Sequence, residues 1–310
     1  MDAIKTNKLT KYYGKSRGIV NLDLSVEEGA FFGFIGPNGA GKSTTIRTLL
    51  GLISPTSGGA EIFGKEVKKV NAAGAASGML QVLNDTGYLP SEAIFYSGMK
   101  VRDIIKLSAD LRKKDCSDEA RKLCERLELD TSSKVDELSF GNRKKVAIVC
   151  ALQSNPKLLI LDEPTGGLDP LMQHEFFDIL RERNKEGATV FLSSHILSEI
   201  QRNCTRAAVI REGEIIACGS VEELARTNAK RVSVYANQTA NKIANLPSIV
   251  GLDGIKDLSV SEKSMSFLYN GDINELIQKL SKASIGDLSI SDPDLEEIFL
   301  HYYEKAGDGA

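Results

Sequence analysis

The stretch Gly36-Pro37-Asn38-Gly39-Ala40-Gly41-Lys42-Ser43-Thr44 constrains this chain more than any other. It matches G-x-x-x-x-G-K-[ST] over its full length and follows the apolar run Phe31-Phe32-Gly33-Phe34-Ile35. Such a loop sets glycines where the backbone turns back on itself, so that consecutive N–H groups point inward at a polyphosphate. Thr44 to Leu50 then has the apolar spacing of a helix. The phosphates would lie at its N-terminus, where free N–H groups and the helix dipole favour an anion. Lys42 offers a point charge to the β- and γ-phosphates, and Ser43 a hydroxyl to Mg²⁺. A glycine-rich turn matching by chance would require neither the Lys-Ser pair nor a strand before it and a helix after it.

At 310 residues the chain has room for one large domain and a small one. A formal net charge of -3 with 26% charged residues lacks the basic excess of a dedicated nucleic-acid binder, so no nucleic-acid partner is expected. No apolar run approaches the roughly 18 to 20 residues that span a bilayer. Met1 to Lys8 also lacks the apolar core of a signal peptide, and the expected location is cytoplasmic. Cys116, Cys124, Cys150, Cys204 and Cys218 form an odd set without C-x-x-C spacing. They read as reduced packing residues rather than a disulfide framework or a zinc site.

Along the chain, Ile4 to Glu28 reads as short strands leading into the loop. Tyr12 and Tyr13 precede Gly14; an exposed ring here would stack on a base for about 1–3 kcal/mol, the alternative being a strand tyrosine half buried in a sheet. Ile53 to Gly59 reads as a turn, Ala60 to Phe63 as a short strand, and Val70 to Leu83 shows no clear period. Thr86 to Leu89 is a strand ending at Pro90. Val101 to Leu107 has helical spacing, and Ser117-Asp118-Glu119 starts a helix with Ala120, Leu123, Cys124 and Leu127 on one face. Residues from about 95 to 155 thus form a helical block inside an otherwise β/α chain. Within it, Leu138-Ser139-Phe140-Gly141-Asn142 precedes an apolar helix, either as a second anion site or as an N-cap with a basic first turn.

Leu158 to Leu161 is a buried-strand run ending in Asp162-Glu163-Pro164. Asp162 would hold Mg²⁺ by way of water, leaving Glu163 to polarise an attacking water, a general-base contribution of about 10²–10⁴ in rate. A surface Asp-Glu pair is the poorer reading, because ligands bind at the carboxyl ends of strands in open α/β sheets. Thr189 to Ser194 is the next core strand and ends at His195. A lone histidine is more often structural, but one leaving that strand could reach a γ-phosphate. Ala207–Arg211 and Glu214–Cys218 form a hairpin at Glu212-Gly213.

Taken in order, these motifs resemble the ATP-binding subunit of an ABC transporter over roughly Ile4 to Leu224. The resemblance implies an α/β fold: a P-loop NTPase (RecA-like) core with an N-terminal antiparallel β subdomain and an inserted helical subdomain. It assigns Tyr13 to base stacking, Gly36 through Thr44 to the phosphates, Ser43 and Asp162 to Mg²⁺, Glu163 to catalysis and His195 to the switch histidine. Ser139, Gly141 and Asn142 match the signature motif and Asp169 the D-loop aspartate. In that family two such domains close head to tail, with each ATP between one phosphate loop and the other signature. ATP and Mg²⁺ are the implied cofactors. A second ATP-binding subunit, as a homodimer, and a separate transmembrane permease are the implied partners, which would hold the chain at the cytoplasmic face of the membrane.

Two positions depart from the family pattern. Ser91 stands where a glutamine usually reaches magnesium and water, leaving its place in the metal site open, and Phe140 stands where the signature has a glycine. Both resemble the ABC-2 export branch, which includes drug, antibiotic and bacteriocin-immunity exporters. Residues 1–228 are expected to form the ATPase domain and 229–310 a small α+β domain, with strands at Arg231–Tyr235 and Ser264–Leu268 and helices at Ile273–Leu280 and Leu295–Tyr303. The alternatives to a transport ATPase are a soluble ABC ATPase without a membrane partner and a nucleotide-dependent regulator that hardly hydrolyses.

Overall fold

The computed structural model describes residues 1–67, 77–225, 229–236, 252–281 and 285–293. The chain divides into two compact units, Met1–Leu224 and Ala225–Ala310. In the first, β1 (Asp2–Tyr13), β2 (Ser16–Leu22) and β3 (Ser25–Glu27) precede β4 (Phe31–Ile35) and α1 (Lys42–Leu49). Then come β5 (Ser57–Ile62), β6 (Lys65–Glu66), α2 (Ser77–Asn84), β7 (Thr86–Leu89), α3 (Val101–Leu111), α4 (Ser117–Arg126) and α5 (Phe140–Leu152). The unit closes with β8 (Leu158–Asp162), α6 (Pro170–Lys185), β9 (Thr189–Ser194), α7 (Leu197–Asn203), β10 (Arg206–Arg211), β11 (Glu214–Ser220) and α8 (Val221–Ala225).

Two sheets organise this unit. The antiparallel one runs β2-β1-β5-β6, with β3 also on β1. The other runs β11-β10-β4-β9-β8-β7, parallel throughout except for the β10–β11 hairpin. Every residue of β4, β8 and β9 is buried, as near-continuous apolar strands of a parallel sheet must be. Phe191 stacks on Phe32 at 6.0 Å between centroids and tilts against Phe34 at 5.4 Å. The parallel register brings the carboxyl ends of β4, β9, β8 and β7 out side by side, so the segments after them converge at one edge of the sheet.

The block after β7 is helical, as its spacing indicates: α3 buries Val101, Ile104, Ile105 and Ala109, and α4 buries Ala120, Leu123 and Cys124. Between Ile53 and Phe63 the structure corrects the sequence reading. Gly58 and Gly59 belong to β5 rather than to a turn, and Phe63 turns the chain at φ +49°. A Cβ on Gly58 would lie 2.1 Å from the Lys8 carbonyl oxygen, so glycine is required there by the approach of β1. The uninterpreted stretch up to Leu83 contains the start of α2.

The second unit contains β12 (Lys230–Ala236), β13 (Ile255–Val260), β14 (Ser264–Tyr269), α9 (Ile273–Leu280) and β15 (Ile285–Ser291), in an antiparallel sheet ordered β13-β14-β12-β15. Val232, Val234, Met265, Phe267, Tyr269, Leu276 and Leu280 make its core. β13 and β15 have no strand signal in the sequence, because their residues are mostly exposed and lack a clean alternation. The helix expected at Leu295–Tyr303 lies outside the described residues.

Candidate functional site

The loop from Gly36 to Gly41 joins β4 to α1. Gly39 and Gly41 have φ of +82° and +113°, a conformation that admits glycine without strain. The N-cap of α1 is Gly41, with no side-chain cap and no acidic residue in the first turn. By contrast, Ser139 caps α5 by accepting from the Asn142 N–H at 3.2 Å, and Asp169 caps α6 by accepting from the Met172 N–H at 3.0 Å. Among these three helices, α1 alone offers first-turn N–H groups that no side chain caps, which fits a phosphate chain. Pro37, Asn38 and Gly39 are exposed at the rim, Gly36 and Ala40 are buried, and Ser43 and Thr44 are half-buried on the first turn of α1.

Lys42 is 4% exposed, and its Nζ donates to the carbonyls of Gly36 at 2.7 Å and Pro37 at 3.2 Å. It also lies 3.0 Å from Glu163 Oε1. Glu163 Oε2 in turn lies 3.3 Å from His195 Nδ1. The carboxylate thus bridges two residues from different strand ends, β4 and β9, because β8 emerges beside β9 in the sheet. Burial raises the Glu163 pKa, but the hydrogen bond and charge of Lys42, followed by His195, outweigh it and hold the carboxyl below its ordinary value. Glu163 is therefore ionised at neutral pH. Asp162 is buried, and its Oδ1 accepts from Ser193 Oγ at 2.7 Å. The buried Asp162 carboxylate at the end of β8 and the half-buried Ser43 hydroxyl on the first turn of α1 are hard oxygen donors of the kind that suits Mg²⁺, which retains several waters.

The remaining predicted residues lie around this cluster. Tyr13 ends β1, is 47% exposed, and has the Lys11 ammonium 5.5 Å from its ring centroid. It is a strand tyrosine, paired with Ser16 of β2, with about half of its surface open. Ser91 is half-buried and enters through its backbone, whose carbonyl accepts from Lys144 Nζ at 2.9 Å. Ser139 and Asp169 are exposed at the starts of their helices, and among the described residues no hydrogen bond or ion pair joins Ser139, Gly141 or Asn142 to the Lys42–Glu163–His195 cluster. Phe140 is 48% exposed and lies on Gly167, where a Cβ would be 2.2 Å from its ring.

Three residues of the site escape a linear reading. Ser193 holds Asp162 and accepts from the Glu163 N–H at 3.3 Å. Buried Glu199 accepts from Thr165 Oγ1 at 2.6 Å and from Ser194 Oγ at 2.7 Å, tying the segment after Glu163 to the one before His195. Lys144 is 1% exposed although it sits in the basic run Arg143-Lys144-Lys145. The available signal was its phase: Lys144 falls on the stripe of Ile148 and Leu152, both fully buried.

Residues 19–166 match the ABC transporter family. The bacitracin transport ATP-binding protein BcrA of Bacillus licheniformis is 32% identical over 309 residues, covering 96% of each chain. Among solved structures, an ATP-binding subunit of an ABC transporter is 29% identical with a TM-score of 0.66, covering 72% of this chain and 91% of that one. The dimeric bacterial ABC transporter cassette MJ0796 is 25% identical with a TM-score of 0.62, covering 70% of this chain and 98% of that one. A phosphate loop at the end of β4, a carboxylate pair at the end of β8 and near-full-length similarity to such subunits lead to one assignment: the chain belongs to the ATP-binding subunits of ABC transporters, a family of nucleotide-binding ATPases.

Proposed function

We propose that the chain hydrolyses ATP with Glu163 as general base and that it drives export through a separate permease. The observation that carries this is the Glu163 carboxylate between Lys42 Nζ at 3.0 Å and His195 Nδ1 at 3.3 Å. Lys42 cannot serve Glu163 and a γ-phosphate equally. As its ammonium turns to phosphate oxygens, Glu163 loses the partner that depresses its pKa and becomes a stronger base. Glu163 then accepts a proton from water as the water oxygen bonds to the γ-phosphorus. The bond to the bridging oxygen breaks, and ADP departs with that electron pair. His195 orients the carboxylate and donates to the γ-phosphate. Mg²⁺ held by Ser43 and, through water, Asp162 would neutralise charge on the β- and γ-oxygens.

Tyr13 stacks on the adenine, while Ser139, Gly141 and Asn142 of a second copy cover the γ-phosphate, with Asp169 at the seam of this head-to-tail homodimer. The dimeric state of a similar cassette supports this reading. The permease would dock where Ile94 (88% exposed), Tyr96 (76%) and Leu111 (75%) present apolar surface. No helix among the described residues is long and apolar enough to cross a membrane, so the transported molecule would pass through that partner. Peripheral placement on the cytoplasmic face follows from the same reading, and the name of a relative, bacitracin transport, supports an antibiotic-like cargo.

Glu163→Gln tests the reading. Expected are a loss of about 10²–10⁴ in turnover with ATP binding retained, and co-purification of an integral membrane protein from gently solubilised membranes with the ATP-trapped variant. Turnover equal to that of the parent would overturn the base. Ribosomes or nucleic acid in place of a membrane protein would overturn the transport role.

A further inference from the structure

Lys144 Nζ donates to three backbone carbonyls: Pro90 at 3.0 Å, Ser91 at 2.9 Å and Glu163 at 3.2 Å. An ammonium has three N–H groups and no acceptor, so donors and acceptors match one to one, as a buried charge requires. The carbonyls belong to two segments. Pro90 and Ser91 open the segment after β7 that runs to exposed Ile94 and Tyr96, and Glu163 follows β8. Glu163 has φ +46°, a left-handed conformation costing a residue other than glycine about 1–3 kcal/mol. Its peptide groups are held from both sides. The N–H donates to Ser193 O at 3.1 Å and Ser193 Oγ at 3.3 Å, and the carbonyl accepts from Lys144.

We propose that Lys144 is a positioning residue that locks Glu163 in the backbone conformation aiming its carboxylate at Lys42 and His195, and that ties this conformation to the 90–96 segment. The proposal rests on Glu163 being the base. Displacement of Pro90 and Ser91 would pull on the same ammonium that holds the Glu163 carbonyl, giving the surface around Ile94 a short physical route to the base.

The test compares the purified full chain with Lys144→Met, which keeps an apolar stem without donors, and Lys144→Arg, which keeps donors and a charge that does not titrate in the working range. Lys144→Met should lose about 100-fold in kcat with the KM for ATP within about threefold of the parent. Lys144→Arg should retain more turnover than Lys144→Met, because it keeps donors for the same carbonyls. Wild-type kcat in Lys144→Met, or turnover in Lys144→Arg no higher than in Lys144→Met, would overturn the clamp. Should Lys144→Met not fold, as nucleotide binding reports, Lys144→Gln, whose amide keeps two N–H groups, takes its place, and parent-level kcat there would overturn the clamp. Glu163→Gln, run alongside, separates the two readings: turnover retained there overturns the base itself, whereas an inactive Glu163→Gln beside a fully active Lys144→Met overturns the clamp alone.

Discussion

At the scale of single residues, two contacts carry sharp consequences. Removing the Lys42 ammonium leaves the Gly36 and Pro37 carbonyls without their donor and, in the proposed ATP site, a phosphate without its charge. Lys42→Ala should weaken ATP binding by about 1.5–3 kcal/mol, the value of a charge-assisted contact. Titration calorimetry measures this, and unchanged affinity would remove Lys42 from the site. The second contact involves Phe140. A methyl on Gly167 would come within 2.2 Å of the Phe140 ring, at a φ of +83°. Gly167→Ala should destabilise the chain by about 1–3 kcal/mol in urea unfolding. In a Phe140→Ala background the clash disappears, and only the left-handed backbone penalty of about 1–2 kcal/mol remains. Equal losses in both backgrounds would show that the ring does not press on the glycine.

Among elements, α4 of the helical block is joined to α6 by ion pairs. Arg126 Nε lies 2.6 Å from Glu175 Oε1, its guanidinium also reaches both oxygens of Glu182, and Arg183 pairs with Glu119. These groups are partly exposed, so each pair contributes modestly, and the fork geometry of Arg126 is what makes a network of them. Arg126→Met should cost about 1 kcal/mol at low salt and less than half of that at 1 M salt, where screening is short-ranged. Hydrogen bonding to Arg126, against a smaller opposing effect of burial, holds the Glu182 carboxyl below its ordinary 4.5. Its contribution is therefore present above that value and fades as pH falls through the lowered one. A salt-independent loss in Arg126→Met would mean that the arginine stem, rather than its charge, joins the helices.

For the whole molecule, the two units have separate cores. That of Met1–Leu224 includes Phe32, Phe34, Ile46, Leu158 and Phe191, while that of Ala225–Ala310 includes Val232, Phe267 and Leu276. A chain ending at residue 224 should fold and bind ATP as the full chain does, because the phosphate loop, β8 and β9 all lie within the first unit. Circular dichroism with nucleotide titration checks this. An unfolded fragment would show that the first core depends on the second unit.

What the sequence by itself determined was local. The phosphate loop is a contiguous run whose function lies in its backbone, and the apolar runs of β4, β8 and β9 announce a buried sheet because both faces of those strands are covered. Capping is local too: Ser139 and Asp169 each bond within three residues of themselves. The tertiary structure decided what depends on strands lying side by side. Lys42, Glu163 and His195 are far apart along the chain and meet only because β4, β9 and β8 are neighbours. Lys144 stands in a basic run that reads as a solvated first turn, and it became a buried clamp because its three acceptors come from positions 90, 91 and 163. Periodicity reports which face of an element is buried; it is silent on which carbonyl from elsewhere will be waiting there.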